Sequence, residues 1–248
     1  MQPILQVQNL SKTYKNSDKP ALKNLSFSVS KGDIFGLLGP NGAGKTTTIS
    51  ILSGWINYTS GSILYNDLEL HKNYRTIKKN IGVVPQDIAL YPTLTARENL
   101  IYFGRIYGLK GQELRTRVQN YLKLMGLTDR ADQKINSFSG GMKRRTNLIA
   151  GILHQPQILF LDEPTVGIDV HSKAVILEYL KELNAQGMTI IYTSHHLSEA
   201  EQFCNNVLII DYGKEIAEGS PGMLISESAA INNLEELFLH LTGRELRD

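Results

Sequence analysis

The segment from Gly39 to Thr46 holds the most informative chemistry of this sequence, because it matches the phosphate-binding loop pattern G-x-x-x-x-G-K-[ST] at every position. Its glycines let backbone N–H groups turn toward an anion without side chains in the way. Lys45 supplies a full positive charge for the β- and γ-phosphates, and the Thr46 hydroxyl can bind Mg²⁺. The spacing therefore predicts a nucleotide-phosphate site, and a chance glycine-rich turn is the weaker interpretation.

Two carboxylates, Asp162 and Glu163, close the apolar run from Leu159 to Pro164. A buried strand would deliver Asp162 to a fixed place, where it can hold Mg²⁺ through water or beside the Thr46 hydroxyl. Glu163, at the end of that strand, can polarise an attacking water molecule. The alternative, a strand followed by an acidic turn, is disfavoured by the phosphate loop on the same chain.

A second candidate anion site is the segment Ser139-Gly140-Gly141, which precedes a predicted helix over Met142–Leu153. Paired glycines before a helix N-terminus can form a nest of backbone N–H groups. One nucleotide does not need two such nests. A symmetric dimer resolves this, because the nest of one subunit can close over the nucleotide held by the other. Taken alone, Ser-Gly-Gly is a common loop.

The hydrophobic pattern predicts a scaffold for these side chains. A strand before the phosphate loop and a helix after it provide the context that the motif requires. Strands are predicted at Ile4–Val7, Leu25–Val29, Asp33–Leu38, Ser62–Tyr65, Ile81–Val84, Gln157–Leu161, Met188–Thr193 and Val207–Ile210. Helices are predicted at Thr46–Leu52, Met142–Leu153, His171–Ala185, Leu197–Cys204 and Asn232–Leu241.

The middle of the chain has a different character. The pattern from about Thr95 to Met125 is helical, and Thr95-Ala-Arg-Glu98 has the form of a capping box. Alternating strands and helices in the last half indicate a mostly parallel sheet with flanking helices. The expected fold is α/β, a P-loop NTPase core with an antiparallel β portion and an inserted helical subdomain. We expect the core at residues 1–86 and 157–230, the helical subdomain at 87–156, and a C-terminal helix at 231–248.

Composition narrows the function classes. The 248 residues include 26 Lys and Arg against 24 Asp and Glu, a net charge of +2, so nucleic-acid binding is not expected. The basic run Lys143–Arg145 is interpreted as a solvated helix face. Cys204 is the only cysteine, which excludes an intrachain disulfide. No apolar run has the length of a membrane span, and Met1–Gln6 lacks the regions of a signal peptide, so we expect a cytoplasmic location.

Together and in this order, the motifs resemble those of the nucleotide-binding subunit of ATP-binding cassette (ABC) transporters over essentially the whole length. Gln86 after Val83-Val84-Pro85 and His195 in Thr193-Ser194-His195 complete the set. The resemblance implies that ATP is bound by Tyr14, Gly39, Pro40, Asn41, Gly42, Ala43, Gly44, Lys45, Thr46, Thr47, Ser139, Gly140 and Gly141. It implies catalytic roles for Lys45, Gln86, Glu163 and His195, and Mg²⁺ binding by Thr46, Gln86 and Asp162.

Two assignments have alternatives in the sequence itself. Tyr14 stacks on adenine according to the resemblance, or is a surface tyrosine on a strand. His195 competes with His196 for contact with the γ-phosphate. The family pattern favours His195, directly after Thr-Ser, and leaves His196 as a solvated residue of the following helix.

The family signature is usually Leu-Ser-Gly-Gly-Gln, and this chain departs from it with Phe138 and Met142. Ser139 and the two glycines are kept, so we expect nucleotide closure to survive. The run Gly140–Arg145 and the tail Leu234–Arg247 resemble a subgroup that pairs with type-2 export permeases. The implied partners are a second nucleotide-binding subunit and a separate transmembrane permease, which places the chain at the cytoplasmic face of the membrane.

Three alternatives remain open at this stage. The chain is either an exporter subunit, a soluble ABC ATPase acting on ribosomes or DNA, or a regulator that binds ATP without turnover. A single cassette without a coiled-coil insertion disfavours the second, and Glu163 with His195 disfavours the third. The aromatic segment Ile88–Pro92 with Tyr102, Phe103 and Tyr107 is either a groove for a permease helix or subdomain core, with Phe103 assigned to the core.

Overall fold

A computed structural model describes residues 3–15, 17–227 and 231–243 of the chain. Its strands are β1 (Pro3–Lys12), β2 (Leu22–Ser30), β3 (Ile34–Leu38), β4 (Ser60–Tyr65), β5 (Leu68–Glu69), β6 (Ile81–Val84), β7 (Ile158–Asp162), β8 (Thr189–Ser194), β9 (Asn206–Asp211) and β10 (Lys214–Gly219). Its α-helices are α1 (Lys45–Leu52), α2 (Leu70–Ile77), α3 (Ala96–Ile106), α4 (Gly111–Leu124), α5 (Gly140–Ile152), α6 (Val170–Ala185), α7 (Leu197–Phe203), α8 (Pro221–Ser226) and α9 (Leu234–Thr242).

The larger sheet has the strand order β10-β9-β3-β8-β7-β6. Its pairs are parallel except that β10 runs antiparallel to β9. Every residue of β3, β7 and β8 is buried, as expected of a parallel sheet covered on both faces. Along β7, Leu159 and Leu161 enter one hydrophobic cluster while Ile158 and Phe160 enter the other. The predicted α/β class is confirmed.

A smaller antiparallel sheet, in the order β2-β1-β4-β5, covers one side of the larger sheet. Burial alternates along β2, so one face of this strand packs inward and the other meets solvent. The Phe27 ring of β2 stacks on Phe35 of β3, with centroids 5.5 Å apart. This contact joins the two sheets through one core. The antiparallel pairing of β1 with β2 and β4 confirms the predicted antiparallel portion.

The chain between β6 and β7 is largely helical. Thr95 caps α3 with both hydrogen bonds of a capping box, which confirms the prediction from its sequence. The predicted helical stretch is two helices, because the chain turns at Gly108 with φ of 90° before α4. Leu100 and Leu114 lie in the same hydrophobic cluster as Leu159 of the sheet. The division of the chain at residues 87 and 156 stays a prediction.

Four short elements are absent from the sequence-based prediction: β5, α2, β10 and α8. Residue Asn73 interrupts α2 with non-helical φ and ψ, although Leu70, Tyr74 and Ile77 give this helix an apolar face that the sequence analysis did not use. Strand β10 is partly exposed at the sheet edge and shows no clear apolar alternation. Elsewhere, the predicted and observed ends of most elements differ by a few residues. Within the predicted C-terminal helix, α9 occupies Leu234–Thr242. Residues 1, 2, 16, 228–230 and 244–248, which include parts of the predicted domains and of the tail, lie outside the described residues.

Candidate active site

The candidate site lies where the parallel strands of the larger sheet end. Because β3, β6, β7 and β8 point the same way, the segments that follow them meet at one edge. This brings Lys45, Gln86, Glu163 and His195 together from four separate parts of the sequence. Ligands of open α/β sheets bind at this edge.

The phosphate loop connects β3 to α1 and depends on glycine at two tight positions. Gly39 has φ of 147°, and a Cβ there would lie 2.1 Å from the carbonyl oxygen of Ile210. Gly44 has φ of 112°, and its Cβ would lie 2.7 Å from Leu22 Cδ2. No side chain caps α1 and no acidic residue occupies its first turn, so the free N–H groups there suit an anion. The loop borders a groove of about 180 Å³ that also includes Glu163.

Lys45 is buried at the base of this groove, with 5% of its surface exposed. Its Nζ donates to the carbonyl oxygens of Gly39 at 2.8 Å and Pro40 at 3.2 Å, and lies 3.3 Å from Glu163 Oε1. Burial lowers the pKa of Lys45, and the nearby Glu163 carboxylate opposes that shift. The ammonium is therefore held in place before any phosphate arrives.

Glu163 is the centre of the cluster and is 5% exposed. Besides Lys45, its carboxylate contacts His195 Nδ1 at 3.0 Å through Oε1, and accepts from Gln86 Nε2 at 3.1 Å through Oε2. Its φ is 47°, a left-handed value that costs a residue with a side chain about 1–3 kcal/mol. A strained backbone with a fully engaged carboxylate is typical of a functional residue.

A threonine missed by the sequence analysis fixes this strained turn. The N–H of Glu163 donates to Thr193 Oγ1 at 2.9 Å, and that hydroxyl donates to Asp162 Oδ1 at 2.7 Å. One buried hydroxyl thus holds both carboxylate residues. The sequence offered a signal for this role, since Thr193 directly precedes Ser194 and His195 in the motif that was already singled out.

The donor set suits Mg²⁺ bound together with a nucleotide. Asp162 is buried at the strand end, while Thr46 and Gln86 are exposed beside the groove. Within residues 3–15, 17–227 and 231–243, no group of three or more His, Cys, Asp or Glu could hold a metal alone. Mg²⁺ is usually bound through one or two carboxylates, with water and substrate phosphates completing its ligands, and Asp162 supplies one such carboxylate, so these residues fit it.

Tyr14 lies beside the phosphate loop, whereas the predicted nest Ser139-Gly140-Gly141 lies at the start of α5. The Tyr14 hydroxyl is 3.2 Å from Thr47 Oγ1, and its ring is 44% exposed in the loop after β1. Ser139 caps α5 by accepting from the Met142 N–H at 3.3 Å. Among the described residues, no hydrogen bond or ion pair joins Ser139, Gly140 or Gly141 to the phosphate loop.

The interpretation of Lys143–Arg145 as a solvated face is wrong for its two arginines. Arg144 donates to the carbonyl oxygens of Gln86 and Val166, and Arg145 donates to that of Met125 at 2.7 Å. The helical period predicts that Arg144 turns toward the protein, because it shares a helix face with the buried residue Leu148.

A buried carboxylate, Glu199, links the segments that flank the candidate site. Glu199 accepts from Thr165 Oγ1 at 2.8 Å and from the Tyr192 hydroxyl, and it forms an ion pair with Lys173. Thr165 follows Glu163 closely in the chain, and Glu199 lies in the helix that follows His195. The network therefore ties together the segments that carry the two residues.

We expect Glu199→Gln to lower the free energy of unfolding by about 1–3 kcal/mol, because Lys173 loses its charge partner and a buried acceptor is lost. Urea unfolding followed by circular dichroism measures the change. The matched control is Glu178→Gln, an exposed position in α6, which should change stability by less than about 0.5 kcal/mol. Equal stabilities for the two variants would contradict a stabilising network.

A phosphate loop at the carboxyl edge of a parallel sheet, with a buried carboxylate in reach of its lysine, defines a P-loop nucleoside triphosphatase. A family match makes the assignment more specific than this class. The chain belongs to the ABC transporter family, whose model matches residues 22–166. It is therefore an ATP-binding, ATP-hydrolysing chain, which confirms the resemblance seen in the motifs.

Relatives and solved structures agree with this assignment. The chain is 48% identical to the linearmycin resistance ATP-binding protein LnrL of Bacillus subtilis, over 95% of this chain and 78% of that protein. It is 41% identical to the Nod factor export ATP-binding protein I of Bradyrhizobium diazoefficiens, over 88% of this chain and 71% of that protein.

The fold matches two solved structures closely. An ATP-binding subunit of an ABC transporter superposes with a TM-score of 0.87 at 30% identity, over 96% of this chain and 99% of that chain. A dimeric ATP-binding cassette in a post-hydrolysis state, bound to ADP and phosphate, superposes with a TM-score of 0.78 at 28% identity, over 87% and 98%.

Proposed function

We propose that this chain energises export through a separate membrane-spanning permease by hydrolysing ATP. The observation that carries the hydrolytic part is the Glu163 carboxylate, held between Lys45, Gln86 and His195 at the strand ends. Support for export comes from the relatives, which are named for linearmycin resistance and Nod factor export. None of the helices in the described residues has the length and apolarity of a membrane span.

In the proposed reaction, Lys45 and the loop amides neutralise the phosphates, and Tyr14 stacks on the base. Bound Mg²⁺, held by Thr46, Gln86 and Asp162, would neutralise charge on the β- and γ-phosphate oxygens. The phosphates compete with Glu163 for Lys45 and so release the carboxylate to orient a water molecule and take its proton.

His195 has a defined place in this scheme. Its Nδ1 faces Glu163 Oε1, so we assign its Nε2 to the γ-phosphate. His196 occupies the N-cap position of α7 without a capping hydrogen bond from its side chain, is exposed, and donates its backbone N–H to Ser194 Oγ. This geometry supports His195 over His196 for the phosphate contact.

The working unit is proposed to be a dimer of this chain. Ser139 and Gly141 of a second copy would complete the site, since no hydrogen bond or ion pair of the described residues joins the phosphate loop to the nest within one copy. One structural neighbour is itself a dimeric cassette, which supports this arrangement. ATP then favours the closed dimer and hydrolysis releases it, the two-state behaviour that a transporter requires.

A surface groove fits the proposed permease. This aromatic groove, of about 630 Å³, is lined by Trp55, Tyr74, Tyr107 and His154 among others. Trp55 is 58% exposed, and the Tyr107 ring stacks on His154 with centroids 3.7 Å apart. Exposed aromatic side chains favour interfaces, so we assign the groove to a cytoplasmic helix of the permease. That contact would place the chain at the cytoplasmic face of the membrane.

The aromatic segment is divided between surface and core, and its interpretation as a groove for a permease helix stays a prediction. Tyr91, Tyr102 and Tyr107 are exposed, in keeping with an interface. Phe103 packs against the core, and it also lines a smaller hollow beside the aromatic groove. Trp55 was not considered from the sequence, although it is the only tryptophan of the chain.

The test is a pull-down of tagged Glu163→Gln protein with ATP from detergent-solubilised membranes of its own host. We expect a stoichiometric multi-span membrane protein, identified by mass spectrometry. Adding Trp55→Ala should reduce its recovery, whereas Leu68→Ala, an exposed apolar position on β5, should not. Recovery of ribosomal or DNA-processing proteins without a membrane protein would favour the soluble ATPase instead.

A further inference from the structure

Arg144 connects three parts of the candidate site. It lies on α5, and its guanidinium donates through Nη1 to the carbonyl oxygen of Gln86 and through Nη2 to that of Val166, the latter at 3.4 Å. The side chain is half-buried, and the charge of Asp87 lies near it. A single planar group therefore links the segment after β6 to the segment after β7.

The segment after β6 and the segment after β7 each donate a hydrogen bond to Glu163. Gln86 donates its side-chain amide to Glu163 Oε2, and the Val166 N–H donates to the Glu163 carbonyl oxygen at 3.3 Å. Arg144 thus contacts the backbone on either side of the residue assigned to activate water. A displacement of Arg144 would be felt by the Glu163 carboxylate through Gln86 and by its strained backbone through Val166.

The other end of the connection is the nest at the start of α5. Ser139 caps this helix, and Arg144 lies little more than one turn further along it. A Cβ on Gly140 would lie 3.6 Å from the carbonyl oxygen of Gly167, so the nest also borders the segment that carries Val166. Helices move as rigid units, so a force on the nest reaches Arg144.

We propose that Arg144 is a positioning residue that couples the nest to Glu163, so that a nucleotide of the partner subunit seated on the nest sets the carboxylate of this subunit. The inference rests on the proposed dimeric function. Its consequence is cooperative hydrolysis, because each site becomes competent when the opposite nucleotide is in place. Arginine suits this role because its rigid fork can donate to two carbonyl oxygens at once, which a lysine ammonium on a flexible stem does less well.

The test compares Arg144→Gln and Arg144→Lys with the control Lys143→Gln, which removes a neighbouring charge without a recorded side-chain contact. Phosphate release by the full chain is measured against ATP concentration. We expect Arg144→Gln to lower kcat by up to about 10²-fold, the order of effect that a misplaced catalytic group produces. We also expect it to reduce the Hill coefficient to about 1, with half-saturation shifted less than about threefold. Arg144→Lys should be intermediate, and Lys143→Gln should match the parent.

A second measurement separates coupling from folding and assembly. In the Glu163→Gln background, Arg144→Gln should still form the ATP-dependent dimer seen by light scattering, with an unchanged thermal unfolding midpoint. Loss of that dimer, or a lower kcat with an unchanged Hill coefficient, would overturn the coupling role. If Arg144→Gln hydrolyses ATP as cooperatively and as fast as a cooperative parent, only this inference fails. If the parent itself is not cooperative and Glu163→Gln forms no dimer, the proposed dimeric function fails as well.

Discussion

Replacing Glu163 with glutamine is expected to lower ATP turnover by about 10²–10⁴-fold while ATP still binds. Glutamine has the same shape and keeps hydrogen-bonding capacity toward Gln86 and His195. It cannot accept a proton from water as a carboxylate does. Removing the negative charge next to Lys45 also leaves that ammonium free for phosphate, which is why binding should persist.

Steady-state phosphate release and equilibrium ATP binding together test this expectation. The closed dimer should accumulate with ATP, because binding proceeds and the step that releases it is blocked. Glu178→Gln, an exposed carboxylate of α6, is the control for loss of charge alone and should retain the parental rate. Hydrolysis by Glu163→Gln at the parental rate would remove Glu163 from its assigned role.

The second large effect is expected from Lys45→Ala, which should lower turnover by at least about 10²-fold and weaken ATP binding. The Lys45 ammonium is positioned by the carbonyl oxygens of Gly39 and Pro40, so its charge is in place when the phosphates arrive. Alanine removes that charge and also leaves the buried Glu163 carboxylate without its cation. Lys45→Met keeps the volume of the side chain and separates loss of charge from loss of packing.

ATP affinity from calorimetry and the rate of phosphate release measure the effect of both Lys45 variants. A thermal unfolding scan shows whether the variants are folded. Lys181→Ala, an exposed position near the end of α6, is the control and should leave both quantities unchanged. Parental affinity and rate in Lys45→Met would refute phosphate binding by this lysine.

Features that depend on neighbouring residues could be predicted from the sequence. The strand before the phosphate loop and the helix after it follow from an apolar run, a glycine-rich turn and a lysine–threonine pair, all within β3 to α1. The capping box at Thr95 and Glu98 is equally local, and both of its hydrogen bonds form. The short elements β10 and α8 were missed, because each is brief and lies partly in solvent without an apolar period.

Features that depend on distant residues could not be predicted in the same way. Arg144 was interpreted as part of a solvated basic helix face. Its hydrogen-bond acceptors, the carbonyl oxygens of Gln86 and Val166, lie 58 and 22 residues away in the sequence. Thr193 meets Glu163 across 30 residues. Such contacts are selected by strand order and packing, which residue types in one segment do not specify.

The α/β class, the phosphate loop and the family can all be predicted from the chain's residues, since each depends on local spacing and on the order of motifs. The folded chain is needed to show that the carboxylate of Glu163 meets Lys45, Gln86 and His195 within hydrogen-bonding distance. The physical reason is the parallel sheet: its strands point the same way, so segments far apart in the chain end at one edge. There the low exposure of Lys45 and Glu163 makes the interaction between their charges stronger than it would be in water.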